Sequence, residues 1–434
     1  MESRFGAGRG PAAMDPSGKK AVIAGAIGNV MEWYDFGLYG YFASIISVLF
    51  FPSKNPLTSL LVTFAVFGIG FVARPLGGFI FGHYGDKVGR KNALAVTMIM
   101  MGFATFLVGV LPTYQKMGAL APVLLTFIRL VQGFSAGGEW IGSTSFVVEY
   151  APRTRRGFVG SWQMFGVGVG LLLGSGMGVL FSSSLGKAAL YAWGWRIPFI
   201  LGLVIALVGF YLRSRIEETP RFKEVASAHE VAKSPLIETL RKYPKQTLLT
   251  LGFTINWTVS YYVFLNYMPT YITKILHLPL SLTMISNTIG LIFFLVLVPF
   301  TGALSDRIGR RPLLLASCVG FAVFTYPLFL LMNNGSFAVI VLVQMAFAFL
   351  EALFSGPGSA ALAEMFPTRI RYSALSIGYN LAVVIFGGMA PFVSTYLIMA
   401  TGSNMSPTYY VIGGAVVSLI AIVLIKDTYR ESLS

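Results

Sequence analysis

The sequence predicts an all-α integral membrane protein: twelve transmembrane helices in two pseudo-symmetric six-helix halves. Three observations lead there. The chain is 55% hydrophobic and only 11% charged, whereas soluble domains carry about a quarter charged residues. Apolar runs of about twenty residues recur along it, each able to cross about 30 Å of hydrocarbon as a helix. Two polar loop motifs of the first half return in the second. The runs lack the two-residue alternation of barrel strands, and a bilayer admits only barrels or helices.

In order, the spans read as 20–48, 57–82, 92–113, 120–149, 156–182 and 194–213, then 247–274, 282–304, 312–332, 336–364, 373–400 and 405–426. Residues 1–19 are rich in Gly, Ala and Pro, lack the apolar core of a signal peptide, and read as a disordered cytoplasmic tail. The N-terminal half is 20–213, the C-terminal half 247–426, and the polar stretch 214–246 a cytoplasmic linker; 427–434 forms a second tail. Of the 32 Lys and Arg residues, 25 fall in the tails, the linker and the loops on one side. Lys54, Lys116, Lys187 and Lys274 fall on the other, while Arg74, Arg129 and Arg196 lie within spans or at their edges. That asymmetry puts both termini in the cytoplasm and explains the net charge of +15 as topology, not nucleic-acid binding. Cys318 is the only cysteine, so no disulfide or cysteine metal site is expected, and no metal or cofactor is implied. There is no Walker loop to use ATP, and the three histidines sit in loops or at span ends.

The repeat is specific. "GHYGDKVGRK" (82–91) follows span 2 and "GALSDRIGRR" (302–311) follows span 8; "EYAPRTRRG" follows span 4 and "EMFPTRIRYS" follows span 10. The equivalent positions 86 and 306 are 220 residues apart, and 152 and 367 are 215 apart. Two halves of equal topology imply a pseudo-twofold axis along the membrane normal. The G-x-x-x-D-x-x-G-R-[KR] loops resemble the signature of the major facilitator superfamily. "GNVMEWYDFGLYGYF", "RPLGGFIFGHYGDKVGRK", "RLVQGFSAGGEW", "WGWRIPF" and "MFPTRIRYSAL" resemble its metabolite:proton symporter branch, the proline/betaine, ketoglutarate, citrate and shikimate carriers, over about residues 20–426. The resemblance implies a transporter of the bacterial inner membrane, not an enzyme. It also implies a cytoplasmic latch that breaks on switching, made by Asp86, Arg90 and Lys91, by Asp306, Arg310 and Arg311, and by partner clusters Glu149, Arg153, Arg155 and Glu364, Arg369, Arg371. Osmosensing betaine carriers of the branch have a long helical C-terminal extension, and the short stretch after span 12 weakens an osmosensor reading.

The stretch 28–42 places acids where hydrocarbon belongs. On a helix Asn29, Glu32, Asp35 or Phe36, and Tyr39 share a stripe. Acids at that depth face a partner or a water-filled cavity, and Trp33 and Tyr34 beside them suit contact with a solute. By helical rise Asp35 lies about 20 Å, and Arg129 about 13 Å, from their outer ends, a gap an arginine can close. The pair is expected to couple protons, protonation of Asp35 releasing Arg129 to an anionic solute; a buried structural ion pair is the plain alternative. Glu32 is the rival proton carrier, and Glu139, about 15 Å deeper, a proton exit or gate. Glycines 133, 137, 138 and 142 make small-xxx-small spacing for close helix packing. Arg74 either snorkels to the interface or binds solute. Gln132, Gln163, Asn256, Tyr262, Asn266, Tyr379 and Asn380 are candidate solute contacts. Glu351, the clear mid-membrane acid of the C-terminal half, sits near Pro357 in a helix suited to hinge.

The expectation is a monomeric, proton-coupled symporter working by alternating access on a small carboxylate-bearing metabolite, an organic acid. A zwitterion such as proline or betaine is the alternative, with Trp33, Tyr34 and Glu32 able to take its ammonium. A solute-binding membrane sensor is the reading from another class; it would normally carry a signalling domain.

Overall fold

The computed structural model describes residues 16–88, 90–137, 139–214, 241–366, 371–429 and 431; within these, the side chains of 16–25, 82–94, 141–142, 145–146, 149–150, 212–214 and 372–373 are not among those described. The Asp86, Arg90, Lys91 and Glu149 side chains, Arg369 and most of the expected linker therefore lie outside the described residues.

Among the described residues every regular element is a helix. Eight are long and apolar enough to span a bilayer: Pro56–Phe81, Arg153–Ser184, Pro244–Lys274, Leu280–Ile308, Arg311–Asn334, Phe337–Glu364, Ala374–Thr401 and Pro407–Leu424. These are spans 2, 5 and 7 to 12. Span 6 bends by 44° between Lys187–Gly194 and Arg196–Tyr211. Ala95–Val110 and Leu120–Ala136 are shorter apolar helices in spans 3 and 4, the latter continued by Glu139–Tyr150. Span 1 is Pro16–Tyr41 continued by Ala43–Phe50. Its helix begins four residues before the expected boundary. Large apolar side chains such as Phe79, Phe127, Phe300 and Leu342 are more than 60% exposed around the bundle, the surface that lipid covers.

Irregular backbone occurs where spans 1 and 7 of the two halves meet. Span 1 interrupts its α-helix at Phe42, and span 7, 220 residues on, turns from α- to π-helix over Tyr262–Tyr267. Such π segments are frequent at functional sites. The two interlock: Tyr41 donates to the Leu265 carbonyl at 2.8 Å, Asn266 to Phe36 O at 3.2 Å and Thr270 to Gly40 O at 3.2 Å. Neither interruption carries a Pro or Gly at its own position that the sequence could have advertised.

Helices inside the N-terminal half approach backbone to backbone. A Cβ built at Gly133 would overlap the Gly70 carbonyl, and one at Gly137 the Arg74 carbonyl. The small-residue spacing read from the sequence is thus the contact between spans 2 and 4. It sets Arg74 and Arg129 side by side, facing span 1. Arg196, at the start of the main helix of span 6, donates to the Gly109 and Leu111 carbonyls at 2.8 and 2.7 Å. It closes the end of span 3, where carbonyls lack helical partners.

The halves touch at both ends. At the end carrying the 302–311 loop, the motif end, Ser359 donates to Gln163 at 2.7 Å and the Trp140 and Tyr379 rings stack at 3.8 Å. At the far end, beyond the span 1–span 7 interlock, Asn287 donates to Ser175 at 3.1 Å.

Candidate functional site

Three spans converge on Asp35. Arg129 of span 4 donates from Nη1 to Asp35 Oδ2 at 3.0 Å, and from the same nitrogen to Gln132 Oε1 at 2.7 Å. Thr105 of span 3 donates to Asp35 Oδ1 at 2.7 Å, and Gln132 Nε2 donates to that same oxygen. The Arg129 guanidinium also lies over the Tyr39, Phe36 and Phe67 rings at 4.6, 5.0 and 5.4 Å. Both members of the pair are 0% exposed. The sequence placed this pair correctly but expected a water-filled chamber around it. Here the halves close over it at both ends, and aromatic rings take that place. Thr105 was not among the expected residues, since an isolated Thr in an apolar span carries no signal of its own.

A second pair lies beside the first. Arg74 donates to Glu32 Oε1 and approaches the Ala136 carbonyl at 3.5 Å, with the Phe71 and Phe36 rings 5.5 and 5.6 Å from its guanidinium. At 2% exposure it does not snorkel; the carboxylate one turn before Asp35 holds it. Glu32 shares a small pocket with Glu139, Thr97 and Ser135, between spans 1, 3 and 4. Each of these two intramembrane arginines is therefore matched by one carboxylate.

Aromatic side chains bridge these pairs to the C-terminal half. Trp33 packs against Tyr261 and Tyr262 of span 7 at 5.0 and 5.6 Å, and Tyr262 against Phe71 and Phe67 at 5.3 and 6.1 Å. Unpartnered buried polar atoms collect here: Arg129 Nη2, Arg74 Nη1, Trp33 Nε1, and the Tyr261 and Tyr262 hydroxyls. Buried polar groups almost always have partners, so a cluster without them is where a polar ligand fits.

Other expected contacts go elsewhere. Tyr34 turns away and donates to Pro198 O of span 6 at 2.7 Å, packing the N-terminal half instead of facing solute. Asn29 donates to Ser143 at 3.2 Å within the N-terminal half, and Gln163 donates to Thr144 at 2.6 Å while accepting from Ser359, so Gln163 serves the motif-end closure. Tyr379 stacks on Trp140 there. Asn266 joins the far-end interlock. Asn256 and Asn380 are buried, and Asn256 keeps both side-chain polar atoms unpartnered. Trp140 and Trp257, which pack with Tyr379 at this closure, are additional to the expected set; aromatics in apolar spans read simply as core.

The motif-end loop forms one network across the halves. Asp306 accepts from the backbone N–H groups of Gly157 and Phe158 at 2.8 and 2.9 Å and pairs with Arg310 at 2.7 Å. Arg310 also reaches Glu364 at 3.2 Å, and Arg156 reaches Glu364 at 3.6 Å. Burial disfavours the Arg310 charge, but Glu364 and Asp306 outweigh it and push its proton affinity above the usual arginine value. Among the described residues Glu364 is thus held by Arg310 and Arg156 and not by Arg371; Arg369, the other expected partner, lies outside the described residues. Arg371 instead donates to the Ala363 and Phe366 carbonyls at 2.7 and 3.2 Å, closing its own turn. Arg311 donates to Val423 O at 2.7 Å, tying span 9 to span 12. Arg153 and Arg155 are exposed. Glu351 is enclosed by Ser260 and Ser355, with hydroxyl contacts of 2.6 and 3.0 Å, and Pro357 leaves its helix unbroken.

Known proteins bear on this arrangement in three ways. The "Sugar (and other) transporter" family profile matches residues 21–248 and the "Major Facilitator Superfamily" profile matches 261–433. The proline/betaine transporter of Escherichia coli is 39% identical over 427 residues, covering 96% of this chain and 85% of the relative. The glycine betaine/proline/ectoine/pipecolic acid transporter of Dickeya dadantii is 39% identical, covering 96% and 84%. Among solved structures, the proton:xylose symporter XylE bound to 6-bromo-6-deoxy-D-glucose superposes with a TM-score of 0.77 at 18% identity, over 97% of this chain and 98% of that one. A partially occluded inward-open form of the same transporter gives 0.75 over 96% and 100%. Two matched arginine–carboxylate pairs, a network of contacts across the halves and these likenesses converge: the chain is a transporter and belongs to the major facilitator superfamily, within its metabolite:proton symporter branch.

Proposed function

We propose that this transporter couples proton entry to uptake of a small zwitterion that joins a carboxylate to an alkylated ammonium, as proline and betaine do. The observation that carries the reading is that each of the two guanidinium groups already has a carboxylate of its own, Arg129 with Asp35 and Arg74 with Glu32, and a further carboxylate, Glu139, shares the Glu32 pocket. A solute of zero net charge enters such a site without leaving an uncompensated buried charge. A di- or tricarboxylate would need an unmatched cation, and Arg74 is matched. The face of Trp33 beside the Tyr262 and Phe36 rings suits an alkylated ammonium, and the spare Arg129 and Arg74 donors suit its carboxylate. The relatives named for proline, betaine and ectoine transport support the same choice over an organic acid.

In this reading Asp35 takes the proton. Neutralising it removes the charge that Arg129 answers, and frees the guanidinium to hold the solute's carboxylate. Glu32 and Glu139 line the route onward. The halves then rock about the site, breaking the Asp306–Gly157 contact to open the motif end. That end is cytoplasmic by its excess of basic loops, both termini with it, and the membrane is the bacterial inner membrane, with one chain as the working unit.

Proteoliposomes test this directly. Glycine betaine or proline added outside should be taken up with alkalinisation of an unbuffered medium, and unlabelled betaine should compete while succinate and citrate do not. Uptake of succinate with alkalinisation, and none of betaine, overturns the substrate class. Betaine uptake without any pH change overturns the coupling.

A further inference from the structure

Glu351 stands apart from both ion pairs. It lies in span 10 at 0% exposure, and among the described residues no cation comes within ion-pair distance of it. Cys318 of span 9 and Tyr261 of span 7 are the titratable groups that face it; both types are ordinarily neutral at pH 7. A bare carboxylate there would be a buried charge with no counter-ion, which proteins avoid.

The distances between oxygens point to how it is avoided. Ser260 owns one hydroxyl proton, yet its oxygen lies 2.6 Å from the Asn256 carbonyl and 2.6 Å from Glu351 Oε2. Were Glu351 ionised, both neighbours would be acceptors, and one of these short contacts would contain no hydrogen. A proton on Oε2 removes the conflict: Oε2–H donates to Ser260, and Ser260 donates to Asn256 O. On the other side Ser355 accepts from Trp257 Nε1 at 2.8 Å and gives its own proton to Oε1 at 3.0 Å. Each hydrogen then has an acceptor and no charge is buried. The site can also give the proton up. Oε2–H breaks, H⁺ passes to water, and Ser260 swings its hydrogen from Asn256 O to the new carboxylate, leaving two hydroxyl donors on it.

We propose that Glu351 is a second, exchangeable proton site in the C-terminal half, with its proton affinity tuned by Trp257 through Ser355. Trp257 is well placed for that. Its ring packs edge-on against Trp140 of the other half at 5.8 Å and lies 6.4 Å from Tyr379. Parting the halves at the motif end moves the ring whose N–H primes Ser355 to stabilise the ionised form. That the proton leaves during transport rests on the proposed function; its presence on Glu351 does not.

Infrared spectra of the purified full chain in lipid nanodiscs, titrated from neutral to alkaline pH, read a protonated carboxyl without any solute. The wild type should show a carboxylic C=O band that disappears on titration. The band should survive in Asp35→Asn and Glu32→Gln and be missing in Glu351→Gln. A band unchanged in Glu351→Gln overturns the site. Should that variant not fold, Ser260→Ala removes only the proton's acceptor and must displace the band; an unmoved band is equally fatal. Trp257→Phe keeps a ring and deletes the N–H, so the band should persist to a pH about one unit higher, a tenfold change in proton affinity. An unmoved midpoint overturns the tuning by Trp257.

Discussion

Asp306, in the C-terminal half, caps the first turn of span 5 in the N-terminal half: one carboxylate oxygen accepts from Gly157 N at 2.8 Å and the other from Phe158 N at 2.9 Å. A helix start leaves its first N–H groups without partners and carries partial positive charge, so a carboxylate is the natural cap. What is unusual is that the cap belongs to the other half. The bond cannot survive separation of the halves at this end, and Arg310, Glu364 and Arg156 surround it with charges that part at the same moment.

Asp306→Asn should therefore loosen the motif end. An amide keeps one acceptor for the helix start but loses the charge that Arg310 holds, and a lost cap typically costs about 1 kcal/mol. A cysteine placed at Ser161, buried against Gly302 across the interface, reports opening when Cys318 is first replaced by Ser. Its alkylation should accelerate about fivefold to tenfold in Asp306→Asn, since ~1.4 kcal/mol is a factor of ten. Unaltered alkylation would mean that the cap does not hold the halves.

The Asp35–Arg129 pair predicts a characteristic pattern of stability. Removing one partner strands a buried charge, at about 3–5 kcal/mol. Asp35→Asn and Arg129→Gln should each lower the melting temperature, whereas the double variant should melt well above the sum of the two losses, because neither charge remains. In transport, Asp35→Asn should lose uphill accumulation while keeping some counterflow. Arg129→Lys should also fail, because a compact ammonium does not reproduce the flat guanidinium that lies over the Tyr39 and Phe36 rings while donating to Asp35 and Gln132. Strict additivity of the two melting losses would show that the groups do not interact.

The sequence disclosed the coarse design and this pair for one reason: charge in hydrocarbon is costly, so every buried acid or arginine stands out against its run. Asp35, Arg129, Glu32, Arg74 and Glu351 were all visible that way. The repeat made Asp306 and Arg310 legible too. What stayed hidden depends on side-chain direction. Tyr34 is a neighbour of the acidic stripe in sequence, yet its hydroxyl reaches Pro198 on the other side of span 1. Arg156 looked like one more loop cation, and only the folded network shows it on Glu364. Thr105, Trp140 and Trp257 carry no charge to betray them. The π segment at Tyr262–Tyr267 follows from tertiary contacts with span 1, which no local propensity encodes.

Close packing between spans 2 and 4 supports the site from behind. Gly133 offers no room for a methyl group against the Gly70 carbonyl, and backbone cannot yield as a flexible side chain can. Gly133→Ala should push span 4 away, moving Arg129 off Asp35. The expected result is a folded but less stable protein, by about 1–3 kcal/mol as for other overpacked sites, with transport depressed more than binding. Gly176→Ala, where an added methyl meets nothing within 4 Å, is the control and should behave as wild type. Equal behaviour of the two variants would show that the close approach does not position the arginine.

Charge balance yields the sharpest test of the substrate class. Glu32→Gln leaves the amide able to accept from Arg74 but removes one negative charge, so the site as a whole gains a positive one. The zwitterion then meets an unmatched guanidinium, and an anionic solute meets a cation with no competitor. Competition by succinate against labelled glycine betaine should strengthen in Glu32→Gln by about tenfold, the effect of ~1.4 kcal/mol, while betaine's own affinity falls. Trp33→Leu should act in the opposite sense, weakening betaine about tenfold through the lost ring face without helping succinate. On the proposed function the two variants separate the halves of the ligand, Glu32 and Arg74 answering its charge and Trp33 its alkylated ammonium. If succinate competes no better in Glu32→Gln than in the wild type, the balance of the two pairs does not select the solute, and the choice must rest on shape alone.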